Sequence, residues 1–380
     1  MKKLLIVNDN LNIGGIQKSL LNLVNERCGM EDMTLFLLFS EENQKSLLPA
    51  GIKVIVANPM LGVLGASKKA LKGKPLLYAW KGFLKLVAEH TSRKVSIRIA
   101  ELFQKRIACF DVAISYSHPG AHRSLLGTGA EFVLDKVEAK EKICFVHEDY
   151  LQTVNRSAYT DDLYRRFDKI ACCSDSVKAH FLTALPELAH KTYTVRNFYD
   201  LSLQNIDKQN CMQYSNTRIN IVMLARLTSE KGVDRAVRAL EMSKRNDINI
   251  IVVGEGPERV NIEQLIVEAK LEKQIKLVGE TPNPEFYLKN ADYLMLTSYH
   301  EAAPIVFDEA RLMGVRCLST ETTSAYELIE NNGVICSNTE EGICEMLKKL
   351  KKDDQQSEKF ITWTNGLQKE QFERLIGISG

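Results

Sequence analysis

The amino-acid sequence predicts an α/β protein made of two Rossmann-like, doubly wound domains facing each other across a cleft. Three observations predict it. Apolar runs of strand length alternate with amphipathic stretches of helical period along most of the chain, the pattern of parallel sheets covered by helices. A single polar stretch near the middle interrupts that alternation. The length, 380 residues, exceeds what one hydrophobic core ordinarily organises.

The first series opens with a buried-strand pattern at Lys3–Val7, then a polar turn, Gly14-Gly15, and an amphipathic helix from Ile16 to Arg27. Further strands are expected at Thr34–Phe39, Lys53–Ala57, Val112–Ser115, Lys142–Val146, Lys169–Cys172 and Thr192–Val195, which sets a first domain at residues 1–200. From Leu201 to Asn216 the composition turns to Gln, Asn, Asp and Ser with little periodicity, which reads as an interdomain linker, 201–216. A second series follows in residues 217–360, with strands at Ile219–Leu224, Ile248–Val253, Ile275–Val278, Tyr293–Leu296 and Cys317–Ser319. Helices are expected between them at Val233–Ser243, Arg259–Lys270, Pro284–Asn290 and Ile305–Met313. Charged helical stretches follow Ile335, and a last one lies within 361–380.

Apolar content of 45% and charged content of 26% are those of a soluble globular protein. The formal charge of +2 is near balance, so no nucleic acid is expected as a partner. Nine cysteines include no C-x-x-C pair, and Met1-Lys2-Lys3-Leu4 does not open a signal peptide. Reduced thiols in a cytoplasmic protein are expected, with no structural zinc. No apolar run approaches the roughly 20 residues that span a bilayer.

Three segments place polar groups at the C-terminal ends of expected strands, where open α/β sheets bind ligands. Ser298-Tyr299-His300-Glu301-Ala302-Ala303-Pro304-Ile305-Val306 follows Tyr293–Leu296 and sets Glu301 in a loop, with Glu309 one to two turns into the next helix. Two carboxylates so placed can accept hydrogen bonds from two hydroxyl-bearing parts of one ligand, such as a sugar and a ribose. Ala225-Arg226-Leu227 through Lys231-Gly232 follows the first strand of the second domain. Arg226 and Lys231 can converge there on an anion at a helix start, though a solvated charged loop has the same spacing. Gly254-Glu255-Gly256-Pro257 lacks the third glycine of a dinucleotide fingerprint, because Arg259 stands there; it reads as a tight strand-to-helix turn and argues against a dehydrogenase.

In the first domain Gly14 and Gly15 leave room for a ligand or a facing backbone, as a plain turn would also require. His147, at the end of Lys142–Val146, suits either a hydrogen bond to a sugar hydroxyl or phosphate, or a structural role; His118 is placed similarly. Between Lys68 and Arg106 eleven basic residues face only Glu89 and Glu101, interleaved with Leu76, Trp80, Phe83, Leu86 and Phe103. Such a segment, 68–106, suits either an anionic membrane surface or a solvated helix face.

Gly14-Gly15-Ile16-Gln17, Val195-Arg196-Asn197-Phe198-Tyr199-Asp200, Ala225-Arg226-Leu227 with Lys231-Gly232, Gly254-Glu255-Gly256-Pro257, the Glu301/Glu309 pair and Ser324–Ile329 stand in that order. Together they resemble the retaining glycosyltransferases of family 4, which have the GT-B fold, and in particular those of bacterial surface polysaccharides. The resemblance implies that Arg226 and Lys231 bind a nucleotide diphosphate, Glu309 the ribose, and Glu301 the donor sugar. It further implies that backbone N–H groups of Ala303, Pro304's successors Ile305 and Val306 hold sugar and phosphate, that Gly14 and Gly15 face the diphosphate, and that His147 is the family's active-site histidine. The last helical stretch would return to the first domain. Ala302 replaces the glycine that commonly follows the first glutamate, and Gln17 a frequent acidic residue.

The expected activity is transfer of a sugar, with retention, from a nucleotide diphosphate (UDP favoured) to a saccharide acceptor, lipid-linked at a membrane, in surface polysaccharide or glycoconjugate synthesis. No cofactor and no metal are expected, because no convincing D-x-D motif is present; Asp161-Asp162 and Asp353-Asp354 lack such a context. The location expected is the cytoplasm, at the inner face of the cell membrane. A nucleotide-sugar epimerase of the same fold and a non-catalytic partner subunit are the alternatives.

Overall fold

Chain order and strand order diverge at one point in each of two parallel sheets. In the computed structural model, which describes residues 1–12, 14–67, 69–121, 124–352 and 363–378, the chain divides into two compact units. One comprises Met1–Phe198 with Asn365–Gly380, the other Tyr199–Thr364. Lys68 and the Asp353-Asp354 pair lie outside the described residues, as do parts of the expected 217–360 and 361–380 segments.

The first unit holds β1 (Lys3–Asn8), β2 (Asp32–Leu37), β3 (Lys53–Val56), β4 (Ile107–Ser115), β5 (Val137–Val146), β6 (Lys169–Cys172) and β7 (Thr192–Thr194). Their order in the sheet is β3-β2-β1-β4-β5-β6-β7. The chain steps outward from β1 to β3 and then returns to β4 on the other side of β1, so the switch in direction falls between β1 and β4. Leu4, Leu5, Ile6 and Val7 are all fully buried, because helices cover both faces of a parallel sheet. Sequence periodicity marks only the buried ends of β4 and β5; the residues ahead of those ends are mostly exposed or half-exposed.

The second unit holds β8 (Ile219–Leu224), β9 (Ile248–Val253), β10 (Ile275–Gly279), β11 (Tyr293–Leu296), β12 (Arg316–Thr320) and β13 (Gly333–Cys336), in the order β10-β9-β8-β11-β12-β13. Here the switch falls between β8 and β11, which pair in parallel with Tyr293 opposite Ile221. The edge strand β13 is absent from the sequence expectation. It is four residues long and begins at a glycine whose added Cβ would lie 1.9 Å from the Cys317 carbonyl oxygen.

Residues 201–216 are not a linker, and the first domain ends at Phe198 rather than at residue 200. Leu203 is buried in the core of the second unit with Phe307 and Leu312. The Met212 N–H donates to the Phe286 carbonyl, and the Tyr214 hydroxyl to the Tyr287 carbonyl. The polar residues that suggest a linker have local work: the carboxylates of Asp200 and Asp207 accept from the N–H groups of Ser202 and Gln209 and start short 3-10 turns.

Helix Gly366–Leu375 belongs to the first unit. Phe372, Leu375 and Ile376 are wholly buried in its core, with Phe372 edge-on to Phe198 at 6.1 Å. Arg27, itself buried, pairs with Glu31 and donates to Glu373 at 2.7 Å. A buried guanidinium needs such partners, since an unpaired one would carry its full desolvation cost.

Candidate functional site

β8 ends at Leu224, and the chain passes through Arg226 into a 3-10 turn, Ser229–Lys231, before helix Val233–Ser243. Gly232 joins turn and helix at φ 59°, and a Cβ there would lie 2.4 Å from the Thr297 carbonyl oxygen. Only glycine meets both conditions without strain. The turn delivers Lys231 to the loop that follows β11: its Nζ donates to Glu301 Oε1 at 2.7 Å. Ser298 Oγ donates to the same oxygen, also at 2.7 Å. The Lys231 and Glu301 side chains are 21% and 11% exposed, so this charge-assisted contact is screened far less than a surface pair. It stands at the switch point of the sheet, where the ends of β8 and β11 splay.

Residues without a sequence signal hold the loop in place. Arg235, fully buried, donates to the Thr297 carbonyl at 2.9 Å and to Asn338 Oδ1 at 2.8 Å, and its guanidinium lies 4.2 Å from the Tyr299 ring centroid. Asn338 Nδ2 donates to the Tyr299 carbonyl, Thr320 Oγ1 to the Ser298 carbonyl and Ser324 Oγ to the Ala302 carbonyl. Each acts on backbone from a distant element, so nothing in local composition marks it.

The loop runs through Ala303 and Pro304 into helix Ile305–Met313. Pro304 supplies no side-chain cap, so the first-turn N–H groups, those of Ile305 and Val306 among them, keep the partial positive charge of a helix start. Glu309 lies in the second turn and is 5% exposed, beside the equally buried Asp308. Arg226 is not joined to the Lys231–Glu301 pair. Its side chain is 70% exposed and reaches Glu230 at 3.4 Å.

Gly254 and Gly256 close against the Arg226 loop. A Cβ on Gly254 would lie 2.0 Å from the Ala225 carbonyl oxygen, and one on Gly256 2.2 Å from that of Leu227. Leu227 N–H donates to the Glu255 carbonyl, and Glu258 N–H to that of Leu227. These glycines thus serve a close approach of two backbones within the sheet's own loops.

Gly14, Gly15 and His147 belong to the first unit. Gly14 precedes helix Gly15–Arg27, and a Cβ added to Gly15 would meet nothing within 4 Å. His147 follows β5, its ring 4.8 Å from that of Tyr116 and stacked on Phe145 at 5.5 Å. It hydrogen-bonds the Tyr116 backbone, while Nε2 is buried with no partner among the described residues. Burial, helped by nearby His118, pushes its pKa down to about 3, so the ring is neutral in neutral solution. With the other ring nitrogen bonded to backbone, neutral His147 keeps a lone pair on Nε2, a group that accepts from a hydroxyl and does not pair with phosphate. His118 Nε2 lies 3.4 Å from Glu148 Oε2, which also accepts from Thr153 and Asn155 at 2.6 Å.

Residues 212–364 match the family model described as Glycosyl transferases group 1. The chain is 32% identical over 124 residues to the amylovoran biosynthesis glycosyltransferase AmsK of Erwinia amylovora, covering 30% of each chain. It is 26% identical over 139 residues to the N-acetyl-alpha-D-glucosaminyl L-malate synthase of Bacillus anthracis, covering 36% of each chain. The matched stretch thus spans about a third of these relatives' lengths. Among solved structures, Anabaena HepE in complex with UDP and glucose superposes with a TM-score of 0.66 at 17% identity, over 100% of this chain and 97% of that one. The lipopolysaccharide outer core galactosyltransferase WaaB superposes with a TM-score of 0.60 at 16% identity, over 99% of each. The second unit is thus similar, over residues 212–364, to the family described as Glycosyl transferases group 1, and the chain has the GT-B fold.

Proposed function

We propose that the protein is a glycosyltransferase that moves a sugar from a nucleotide diphosphate, UDP by preference, to an acceptor hydroxyl with retention of anomeric configuration. The observation that carries the reading is the shielded Lys231–Glu301 pair at the switch point of the second sheet, beside an uncapped helix start and the buried Glu309. Lys231 Nζ and the N–H groups of Ile305 and Val306 stabilise the charge that grows on the leaving diphosphate. Arg226, on its exposed arm, swings from Glu230 to the same phosphates. Glu301 accepts from a hydroxyl of the donor sugar and Glu309 from the ribose. In this scheme no metal is required, because cationic side chains and fixed backbone dipoles supply the charge. The bond from anomeric carbon to phosphate oxygen breaks, the acceptor oxygen bonds to that carbon on the same face, and the acceptor proton passes to the departing phosphate. The kinship with AmsK supports a place in polysaccharide or glycoconjugate synthesis, and the UDP complex of HepE supports the choice of nucleotide.

The test is turnover of a UDP-sugar panel by the full chain and by Lys231→Ala, with product stereochemistry read by NMR. A loss of about 10²–10³ in rate is expected for the variant, the size of removing one anion-stabilising donor. Near-normal turnover by a folded Lys231→Ala protein removes that residue from the mechanism. An epimer formed from donor alone points to an epimerase. Nucleotide binding without turnover, with an active enzyme co-purifying, points to a partner subunit.

A further inference from the structure

We propose that the helical hairpin of the first unit, Pro75–His90 and Arg93–Glu101, is a docking face for an anionic lipid bilayer. Leu76, Ala79, Phe83 and Leu86 recur at three, seven and ten residues from the first, so they share one side of helix Pro75–His90, and all four are exposed. Leu76 is 85% exposed, far beyond what a helix packed on its own protein leaves to solvent. The stripe does not end with its helix. Phe83 stacks on Trp80 at 5.5 Å, and Trp80 meets Phe103 edge-on at 5.6 Å. Leu102, beside Phe103, is 78% exposed. An aromatic bridge therefore continues the apolar surface onto the chain just beyond the second helix. A contiguous apolar face of this kind marks a partner rather than solvent.

Charge decides which partner. Lys69, Lys72, Lys74, Lys85, Arg98, Lys105 and Arg106 are exposed around the stripe, whereas Glu89 is the one exposed acidic residue between positions 69 and 106 among the described residues. Glu101 is buried, and Arg93, also buried, is committed to Glu131 at 2.8 Å. A second copy of the chain would bring the same positive rim to the same place and be repelled. An anionic headgroup layer complements the rim, while the acyl boundary below it takes up leucine and aromatic side chains. The helix would lie flat in the interface. Among the described residues no helix is long and apolar enough to cross a membrane.

Co-sedimentation of the full chain with vesicles tests this without any nucleotide-sugar, so it stands or falls apart from the transferase reading. Binding is expected to vesicles of phosphatidylcholine mixed with phosphatidylglycerol and to be weak on phosphatidylcholine alone. It should fall steeply as salt rises from about 0.1 M to about 1 M, where the Debye length shrinks from about 10 Å to about 3 Å. L76E/L86E alters two exposed positions; an unchanged thermal midpoint would confirm its fold, and its affinity should fall about tenfold or more. K72E/K74E, which keeps the apolar stripe, should lose the preference for anionic vesicles. Equal binding to both vesicle types, or wild-type binding by folded L76E/L86E, overturns the proposal. So does a concentration-dependent dimer that L76E/L86E abolishes in the absence of vesicle binding.

Discussion

Lys231 and Glu301 stand 70 positions apart and meet at 2.7 Å. Each is legible as a polar residue at the end of an apolar run, but their pairing is not, because it depends on β8 and β11 being neighbours in the sheet. The same limit hides Arg235, Asn338, Thr320 and Ser324, whose contacts are with distant backbone. His147 is legible as a polar residue at a strand end, and only its packing shows that it is neutral. Unfolded, a histidine takes up its proton near 6.5; folded, His147 does so only near 3. Between those values the unfolded chain binds the extra proton, so the contribution of His147 to stability is whole above 6.5 and is lost as pH falls toward 3. Glu101 opposes it: burial, helped by the charge of Asp135, raises its pKa from 4.5 to about 7, so its contribution is lost as pH rises through that range. His147→Gln separates the two. The stability of the wild type minus that of the variant should shrink between pH 7 and pH 4 in urea titrations, and a difference constant with pH would contradict the neutral assignment.

At the scale of elements, the apolar runs place the buried ends of the strands well, since burial on both faces of a parallel sheet leaves long apolar runs. Boundaries fail where a strand begins among exposed or half-exposed residues, as at β4 and β5, or where an edge strand is short, as at β13. The stretch 201–216 misleads because its Asp residues cap local turns while its scattered apolar residues, Leu203 in the core and Leu201, Ile206, Met212 and Tyr214 packed against it, follow no regular period. The Gly254-Glu255-Gly256-Pro257 segment is read correctly as a tight turn, and the fold adds what it is tight against. Gly254, at φ 148°, has no room for a Cβ beside the Ala225 carbonyl. Gly254→Ala should cost about 2–4 kcal/mol from strained backbone and overpacking together. It should also weaken nucleotide binding by displacing the Arg226 loop. Calorimetry and chemical denaturation read the two effects, and a stable variant with unaltered affinity would show that the contact between these loops is slack.

At the scale of the whole molecule, two units with separate cores are expected to unfold separately. Each unit carries one tryptophan, Trp80 in the first and Trp363 in the second, so fluorescence of single-tryptophan variants follows each alone. Phe372→Ala removes a fully buried ring from the first unit and should destabilise it by about 3–5 kcal/mol. The transition seen through Trp80 should move to lower denaturant, and that seen through Trp363 should hold its place; equal movement of both would mean that the units unfold as one. The return of helix Gly366–Leu375 to the first unit also has a consequence for synthesis. Domains usually finish folding in the order in which they leave the ribosome. Here the second unit is complete once Thr364 has emerged, whereas the first must wait, with Arg27 short of Glu373 and its core short of Phe372, until the helix arrives. The stretch of chain made first is the one finished last.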